Sequence, residues 1–201
     1  MTDYSEIAAR FARDTADHQM TVLHEDGLYR HLRFRQPQRN SYWFDLVTWP
    51  GVLHVRGDFG RDSYTFTRLT DMFEFFRSKD GINAHYWGEK LDGGRDSVRE
   101  YSEDAFRQIV RELFVDAVRY SDAPAGLGKA VRTYLLDYDL SDETEARRLL
   151  GEFEFKGFQF RDTWEFTFDD WDWSFLWACH AIQWGIAQYD AVKAAPKAVA
   201  T

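Results

Sequence analysis

The 201-residue sequence lacks several features that would place it in a specialised class. It has a single cysteine, Cys179, so no disulfide can form within the chain and a reducing compartment is expected. Four prolines and the absence of a Ser- or Gly-rich tract argue against long linkers and disorder. The longest apolar stretch, 173–186, is too short to span a membrane, and the N-terminus has no signal-peptide core. These absences predict a cytoplasmic protein without a membrane partner.

Aromatic and acidic residues are abundant instead. Aromatic residues make up 17% of the chain, which is ample material for a core, and the length suits one domain over residues 1–201. The net charge of −9 opposes direct binding of free nucleic acid. The acids are concentrated in residues 137–172, with 12 Asp/Glu against 4 Lys/Arg. Such a segment either keeps the protein soluble or attracts a basic partner.

The hydrophobic pattern predicts an α+β fold. Period-two segments at 20–23, 29–35, 42–49, 52–56 and 63–67 predict an antiparallel β-meander of about five strands. Helical periodicity predicts a short N-terminal helix over 3–17 and several C-terminal helices after the sheet. The later helices are predicted over 71–78, from Asn83 onward, from Ser102 onward, and over 127–136, 142–151 and 172–193. Thr70 is the predicted cap of the 71–78 helix, and Ser141 that of the 142–151 helix. The last helix is apolar on nearly every side, which predicts that it is buried. The chain is thus sheet-rich over 20–68 and helical over 70–195, with aromatics packed in the core and one or two left on a partner-facing patch.

Two known tripeptides, RGD and DFG, overlap at Asp58. A kinase DFG requires a glycine-rich loop, a strand lysine and a catalytic loop upstream, and the 57 preceding residues contain none of them. An adhesion RGD requires an extracellular protein. The run instead predicts a turn, in which Gly57 and Gly60 adopt positive φ and Asp58 accepts local main-chain hydrogen bonds.

No residue set predicts catalysis, a metal site or a cofactor. The six histidines are scattered and form no zinc motif, and the GLGKA segment at Gly126 lacks the spacing of a phosphate loop. His54 could approach Asp45 across adjacent strands as an acid–base pair, or be a structural histidine. Catalytic residues therefore remain unassigned, and binding is favoured over catalysis.

The segment YRHLRFR offers an alternative ligand site. On a strand, His31, Arg33 and Arg35 share one face and Leu32 and Phe34 the other, so a basic row could meet phosphates or be a solvated surface. A nucleotide-binding enzyme or nucleotide-sequestering protein would combine such residues with aromatic faces. The candidate residues for this pocket are Arg33, Arg35, Asp45, Arg68 and Asp71.

The strings WFDLVTWPG, DMFEFFR, INAHYWGEKL and FLWACHAIQWGIAQYD resemble a family of small proteins encoded by tailed bacteriophages and prophages. The resemblance covers about residues 29–91 and 164–190. It implies an accessory protein in the host bacterial cytoplasm, and many such proteins bind and inhibit anti-phage defence systems. The partner would be a host protein with a basic, nucleic-acid-binding surface. The acidic residues predicted to bind it are Asp137, Asp139, Asp142, Glu143, Glu145, Asp169 and Asp170.

Overall fold

The computed structural model describes residues 4–61, 63–77 and 81–195. The chain divides into two compact units: unit 1 comprises Met1–Val98 and Trp171–Thr201, and unit 2 comprises Arg99–Asp170. The sequence predicted one domain over 1–201, whereas each of these units has its own buried hydrophobic cluster. The predicted fold class, an N-terminal five-stranded antiparallel sheet followed by helices, is confirmed.

Unit 1 is built on the sheet, whose strands pair in chain order as a meander. The first strand is longer than predicted and is irregular between Val22 and His24. The third begins at Phe44, because Tyr42 has a φ of 56° and leaves the extended conformation. The strands are β1 Gln19–Asp26, β2 Tyr29–Arg35, β3 Phe44–Trp49, β4 Val52–Gly57 and β5 Ser63–Thr67.

The helices of unit 1 are α1 Ser5–Asp14, α2 Met72–Phe76, α3 Ala84–Gly88 and α7 Trp173–Ala194. The apolar helix α7 is buried along most of its length, as predicted, and packs against one face of the sheet. Gly185 permits this packing, since a Cβ atom at that position would lie 2.8 Å from Leu46 Cδ1 and 3.1 Å from the Phe34 ring. Leu32 and Phe34 point into this core, as their alternation predicted.

The helix caps depend on which side chain reaches the first free N–H groups. Ser102 caps its helix as predicted, and Asn83, near which a helix was predicted to begin, caps that helix. The predicted caps Thr70 and Ser141 were wrong, because Asp71 and Asp142 accept those hydrogen bonds instead. Residue 3 of the first predicted helix and residue 78 of the second lie outside the described residues.

Unit 2 is mainly helical. It contains α4 Glu103–Tyr120, α5 Leu127–Val131 continued by a π-helical segment Arg132–Leu136, and α6 Glu143–Glu152. The sequence did not predict its short strands, because segments of two or three residues carry no readable alternation. These are the pair β6 Arg99–Tyr101 and β9 Asp169–Trp171, and the hairpin β7 Glu154–Phe155 and β8 Phe158–Gln159.

The RGD–DFG run forms the predicted turn between β4 and β5, with different roles for its residues. Gly60 has a φ of 102°, as predicted. The φ of Gly57 is not positive. This glycine is instead required by space, since a Cβ atom there would lie 2.1 Å from the carbonyl oxygen of Trp43. The Asp58 carboxylate accepts a hydrogen bond from the distant main-chain N–H of Tyr42, not from the turn itself.

Candidate functional site

The sheet of unit 1 has a second face, on the side opposite α7, which we call the outer face. It combines cationic, aromatic and hydroxyl side chains. By strand alternation and register, β1 contributes Gln19, Thr21 and Asp26 to this face, opposite Arg35, Arg33 and Tyr29. The residues that β2–β5 contribute are Tyr29, His31, Arg33, Arg35, Asp45, Val47, Trp49, Val52, His54, Arg56, Ser63, Thr65 and Thr67.

Asp45 lies at the centre of this face and is only 1% exposed. Arg33, its partner across the β2–β3 ladder, donates two hydrogen bonds of 2.8 Å to the two carboxylate oxygens. His31 Nε2 lies 3.1 Å from Oδ2, within ion-pair distance but without the alignment of a hydrogen bond. Burial alone would raise the pKa of Asp45, but the hydrogen bonds from Arg33 and the charges of Arg33 and His31 outweigh it and lower this pKa.

The pairing of Arg33 with Asp45 has a consequence for the predicted nucleotide pocket. A bidentate ion pair satisfies the carboxylate oxygens, so neither group is poised to receive a ligand without breaking the pair. The remaining pocket residues lie elsewhere. Asp71 caps α2 and receives two hydrogen bonds from Arg30, at 2.8 and 3.1 Å, on the core side of the sheet. Arg68 follows β5 and is exposed. The structure thus brings together Arg33, Arg35 and Asp45, but not Arg68 and Asp71.

The hypothesis that His54 pairs with Asp45 was wrong. In the β3–β4 register His54 lies opposite Val47, whereas Asp45 lies opposite Arg56. His54 Nδ1 is instead 2.9 Å from the hydroxyl of Thr65 on β5. Burial, followed by the charge of Arg56, lowers the pKa of His54. A histidine partnered by a threonine has a structural role here.

Aromatic side chains stand on or beside the outer face. Two guanidinium groups lie over the Trp43 ring, that of Arg33 at 5.1 Å and that of Arg56 at 5.5 Å from its centre. Trp49 is 41% exposed and Tyr29 is 53% exposed. No pattern in the sequence indicated these arginine–tryptophan contacts, because they depend on the pairing of three strands.

The predicted acidic surface lies in unit 2, which holds 10 Lys/Arg and 17 Asp/Glu and so carries a net charge of −7. Three of the predicted acids are locally neutralised: Glu143 pairs with Arg147, Glu145 with Arg148, and Asp169 with Arg99.

The other four predicted acids differ in their surroundings. Asp142 caps α6, and Asp170 is half-buried. Asp137 and Asp139 are exposed, and neither is ion-paired within the described part of the chain. Among the predicted acids, Asp137 and Asp139 are therefore the exposed ones that have neither an ion pair nor a capping role in the described part of the chain.

Large aromatic side chains are exposed in the same unit. Trp164, in the 3₁₀ turn Thr163–Glu165, is 74% exposed, and Tyr120, at the end of α4, is 81% exposed. Tyr134 and Tyr138, which flank Asp137 in sequence, are also more than half exposed. A tryptophan with most of its surface in water is unusual in a monomer and is typical of an interaction surface.

A cavity of about 710 Å³ opens within unit 2, between the C-terminal half of α4 and the β7–β8 hairpin. Leu113, Phe158 and Phe160 line it with apolar surface, and Tyr120 stands at its edge. Asp116, Asp122, Lys156 and Arg161 also line it, so its charges balance. Its volume is in the range that accommodates a small ligand or a few side chains of a partner.

Two groups with nucleophilic side chains are buried in unit 1. Ser174 is hydrogen-bonded to Asp172 and to Tyr64, and Arg61 is paired with Asp172 at 2.8 Å. Asp172 of this network caps the N-terminus of α7, and Ser174 is only 1% exposed. Cys179 is fully buried, and burial raises the pKa of its thiol. Substrate could reach neither group without unfolding, which favours structural roles.

Within residues 4–61, 63–77 and 81–195, no cluster of histidine, cysteine and acidic side chains is arranged to hold a metal ion. Nor does this part of the chain contain a helix of the length and apolar character needed to cross a bilayer. Comparison with protein-family models, with curated proteins and with solved structures gives no match. The candidate site therefore rests on the chemistry of the residues themselves.

Proposed function

We propose that the chain is a phage-encoded accessory protein that binds a basic host protein through the acidic, aromatic surface of unit 2. The observation that carries the proposal is the 74% exposure of Trp164 in a unit of net charge −7. Buried tryptophan and tyrosine anchors dominate the binding energy of protein interfaces, while charge of one sign speeds the encounter with a partner of opposite sign.

The unpaired acids refine the predicted contact surface. Asp137 and Asp139 can meet lysine or arginine without first breaking an ion pair, whereas Glu143, Glu145 and Asp169 would have to exchange partners. Tyr134 precedes the two unpaired acids in sequence and Tyr138 lies between them, so both offer apolar contact beside these acids. We therefore expect this segment, and not α6, to supply most of the charge-dependent affinity.

The resemblance to phage and prophage proteins supports a partner in the host cytoplasm, and inhibition of an anti-phage defence system is the role we propose. A defence enzyme that binds nucleic acid presents the basic surface that an acidic protein recognises. The nucleotide-pocket alternative has less support, because its five residues are divided between the two faces of the sheet and the segment that follows β5.

The binding proposal is tested by affinity capture from bacterial lysate with three forms of the full chain. These are the wild type, the single variant Trp164→Ala and the double variant Asp137→Asn/Asp139→Asn. We expect the wild type to retain one host protein, whose binding weakens as the salt concentration rises. Each variant should capture about tenfold less of this protein, or still less.

Matched controls remove an exposed aromatic residue and an exposed acid from unit 1, with Tyr29→Ala and Asp26→Asn. Both should retain the partner. Capture that is insensitive to salt and unaffected by the unit 2 variants would contradict the binding proposal. The inhibitory role is tested separately by plaque counts: expression of the chain should restore phage growth on a strain with the captured defence system, and unchanged plating would refute it.

A further inference from the structure

The outer face carries more arginine than acidic side chains, in a protein whose net charge is −9. Of the thirteen residues that β2–β5 contribute, three are arginine, two are histidine and one, Asp45, is an acid; β1 adds a second acid, Asp26, which lies opposite Tyr29. Because Asp45 is buried and bonded to Arg33, its charge is compensated. Arg35 and Arg56 are exposed, and neither is ion-paired in the described part of the chain. They are therefore available to an anionic ligand.

The net charge of the whole chain is a poor guide to this surface. Unit 2 accounts for −7 of the −9, so unit 1, which contains the sheet, is close to neutral at −2. Charges are screened over about 8 Å at physiological ionic strength. The electrostatic attraction of a ligand in contact with the outer face therefore depends mainly on the arginines of that face.

Exposed aromatic rings accompany these cations. Trp49 and Tyr29 are both more than 40% exposed, and the guanidinium of Arg56 lies 5.5 Å from the centre of the Trp43 ring. Aromatic and guanidinium planes stack on unpaired bases, and arginines bind the phosphates between them. An isolated phosphate would bind the cationic side chains but would make no stacking contact with the aromatic rings.

The shape of the surface also suits an extended strand. Five strands spaced about 4.8 Å apart give a face about 19 Å wide, similar to the sheets on which RNA-binding domains stack two or three bases. A rigid duplex offers no unstacked bases to the aromatic rings of such a face.

We propose that the outer face binds single-stranded nucleic acid, with Arg35 and Arg56 on phosphates and with Trp49 and Tyr29 stacking on bases. This role is separate from the protein binding proposed for unit 2, and it depends on different residues. The net charge of the whole chain predicted no nucleic-acid partner, and the basic row of His31, Arg33 and Arg35 was interpreted as either a contact for phosphates or a solvated surface.

The test is fluorescence anisotropy of labelled oligothymidylate and oligouridylate of about 12 nucleotides, a length within the range that single-stranded binding folds cover. For Arg35→Ala/Arg56→Ala we expect about tenfold weaker binding. The slope of log K against log salt should fall by about 1.4, or about 0.7 for each phosphate contact removed. For Trp49→Ala we expect about tenfold weaker binding with an unchanged slope, because a stacked base is lost and no charge is removed.

The matched control is Arg119→Ala/Arg132→Ala, which removes two exposed arginines of unit 2 and should leave the affinity unchanged. Arg56→Lys, made alone in the wild-type chain, retains the positive charge and should keep most of the salt dependence of binding. The proposal is overturned if no binding occurs, or if the control weakens binding as much as the outer-face variant. Equal binding of a duplex of the same length, with no effect of Trp49→Ala, would also overturn it. Circular dichroism of each variant separates lost binding from lost folding.

Discussion

Replacing Asp45 by asparagine should lower the free energy of unfolding by about 2 kcal/mol at neutral pH. The carboxylate accepts two hydrogen bonds of 2.8 Å from Arg33, and each bond to a charged group contributes about 1.5–3 kcal/mol. Breaking a fully buried ion pair costs about 3–5 kcal/mol. The Arg33 side chain is 36% exposed and regains water in the variant, and asparagine keeps one acceptor oxygen, so the cost is smaller.

The effect of this substitution should depend on pH in a defined direction. The pKa of Asp45 in the folded protein is lower than its ordinary value of 3.8, since Arg33 and His31 outweigh the effect of burial. A carboxylate with a lowered pKa stabilises the folded protein at pH values above its unfolded-state pKa. This stabilisation is lost as the pH falls through the folded-state pKa. Below both values the wild-type carboxyl is protonated in both states. The wild type and the variant should then approach each other in stability.

The measurement is urea unfolding of the wild type and of Asp45→Asn, at neutral pH and at several values below pH 4. Asp137→Asn is the control, because its carboxylate is exposed and unpaired in the described residues, and it should change stability by less than about 0.5 kcal/mol. A difference between wild type and Asp45→Asn that stays constant across the pH range would refute the assignment of this stability to the ionised pair.

Two further predictions concern the core around α7. Gly185→Ala should destabilise the protein by about 1–3 kcal/mol in thermal unfolding, because the new Cβ would lie 2.8 Å from Leu46 Cδ1. The helical control Gly151→Ala has room for a Cβ, whose nearest neighbour is at 3.7 Å, and should be neutral or stabilising; equal loss in both would contradict the packing explanation. Cys179 should resist a thiol reagent in the native protein and react on unfolding, since it is fully buried and its thiol pKa is raised. Rapid modification of the native chain would show that α7 opens readily.

The local elements were readable because side-chain periodicity is a property of consecutive residues. Alternation predicted that Leu32 and Phe34 face the core and that Arg33 does not, and the apolar character of 173–186 predicted a buried last helix. Errors at helix ends, such as Thr70 for Asp71, arose because adjacent residues were both chemically suitable caps.

The pairing of distant residues could not be read in the same way. Asp45 was identified as a candidate, and His54 was considered both as its partner and as a structural histidine. In the observed strand register, His54 lies opposite Val47, and Asp45 lies opposite Arg33. A shift of one residue in register reverses such an assignment, and nothing in a single strand records its neighbour's register.

The sequence by itself therefore determined the order and type of the main elements and which residues of each strand share a face. The tertiary structure alone decided the division into two units, the Arg33–Asp45 pair, and the exposure of Trp164 and Trp49. Periodicity arises from the geometry of one segment, whereas exposure, ion pairing and local charge depend on which segments fold against each other.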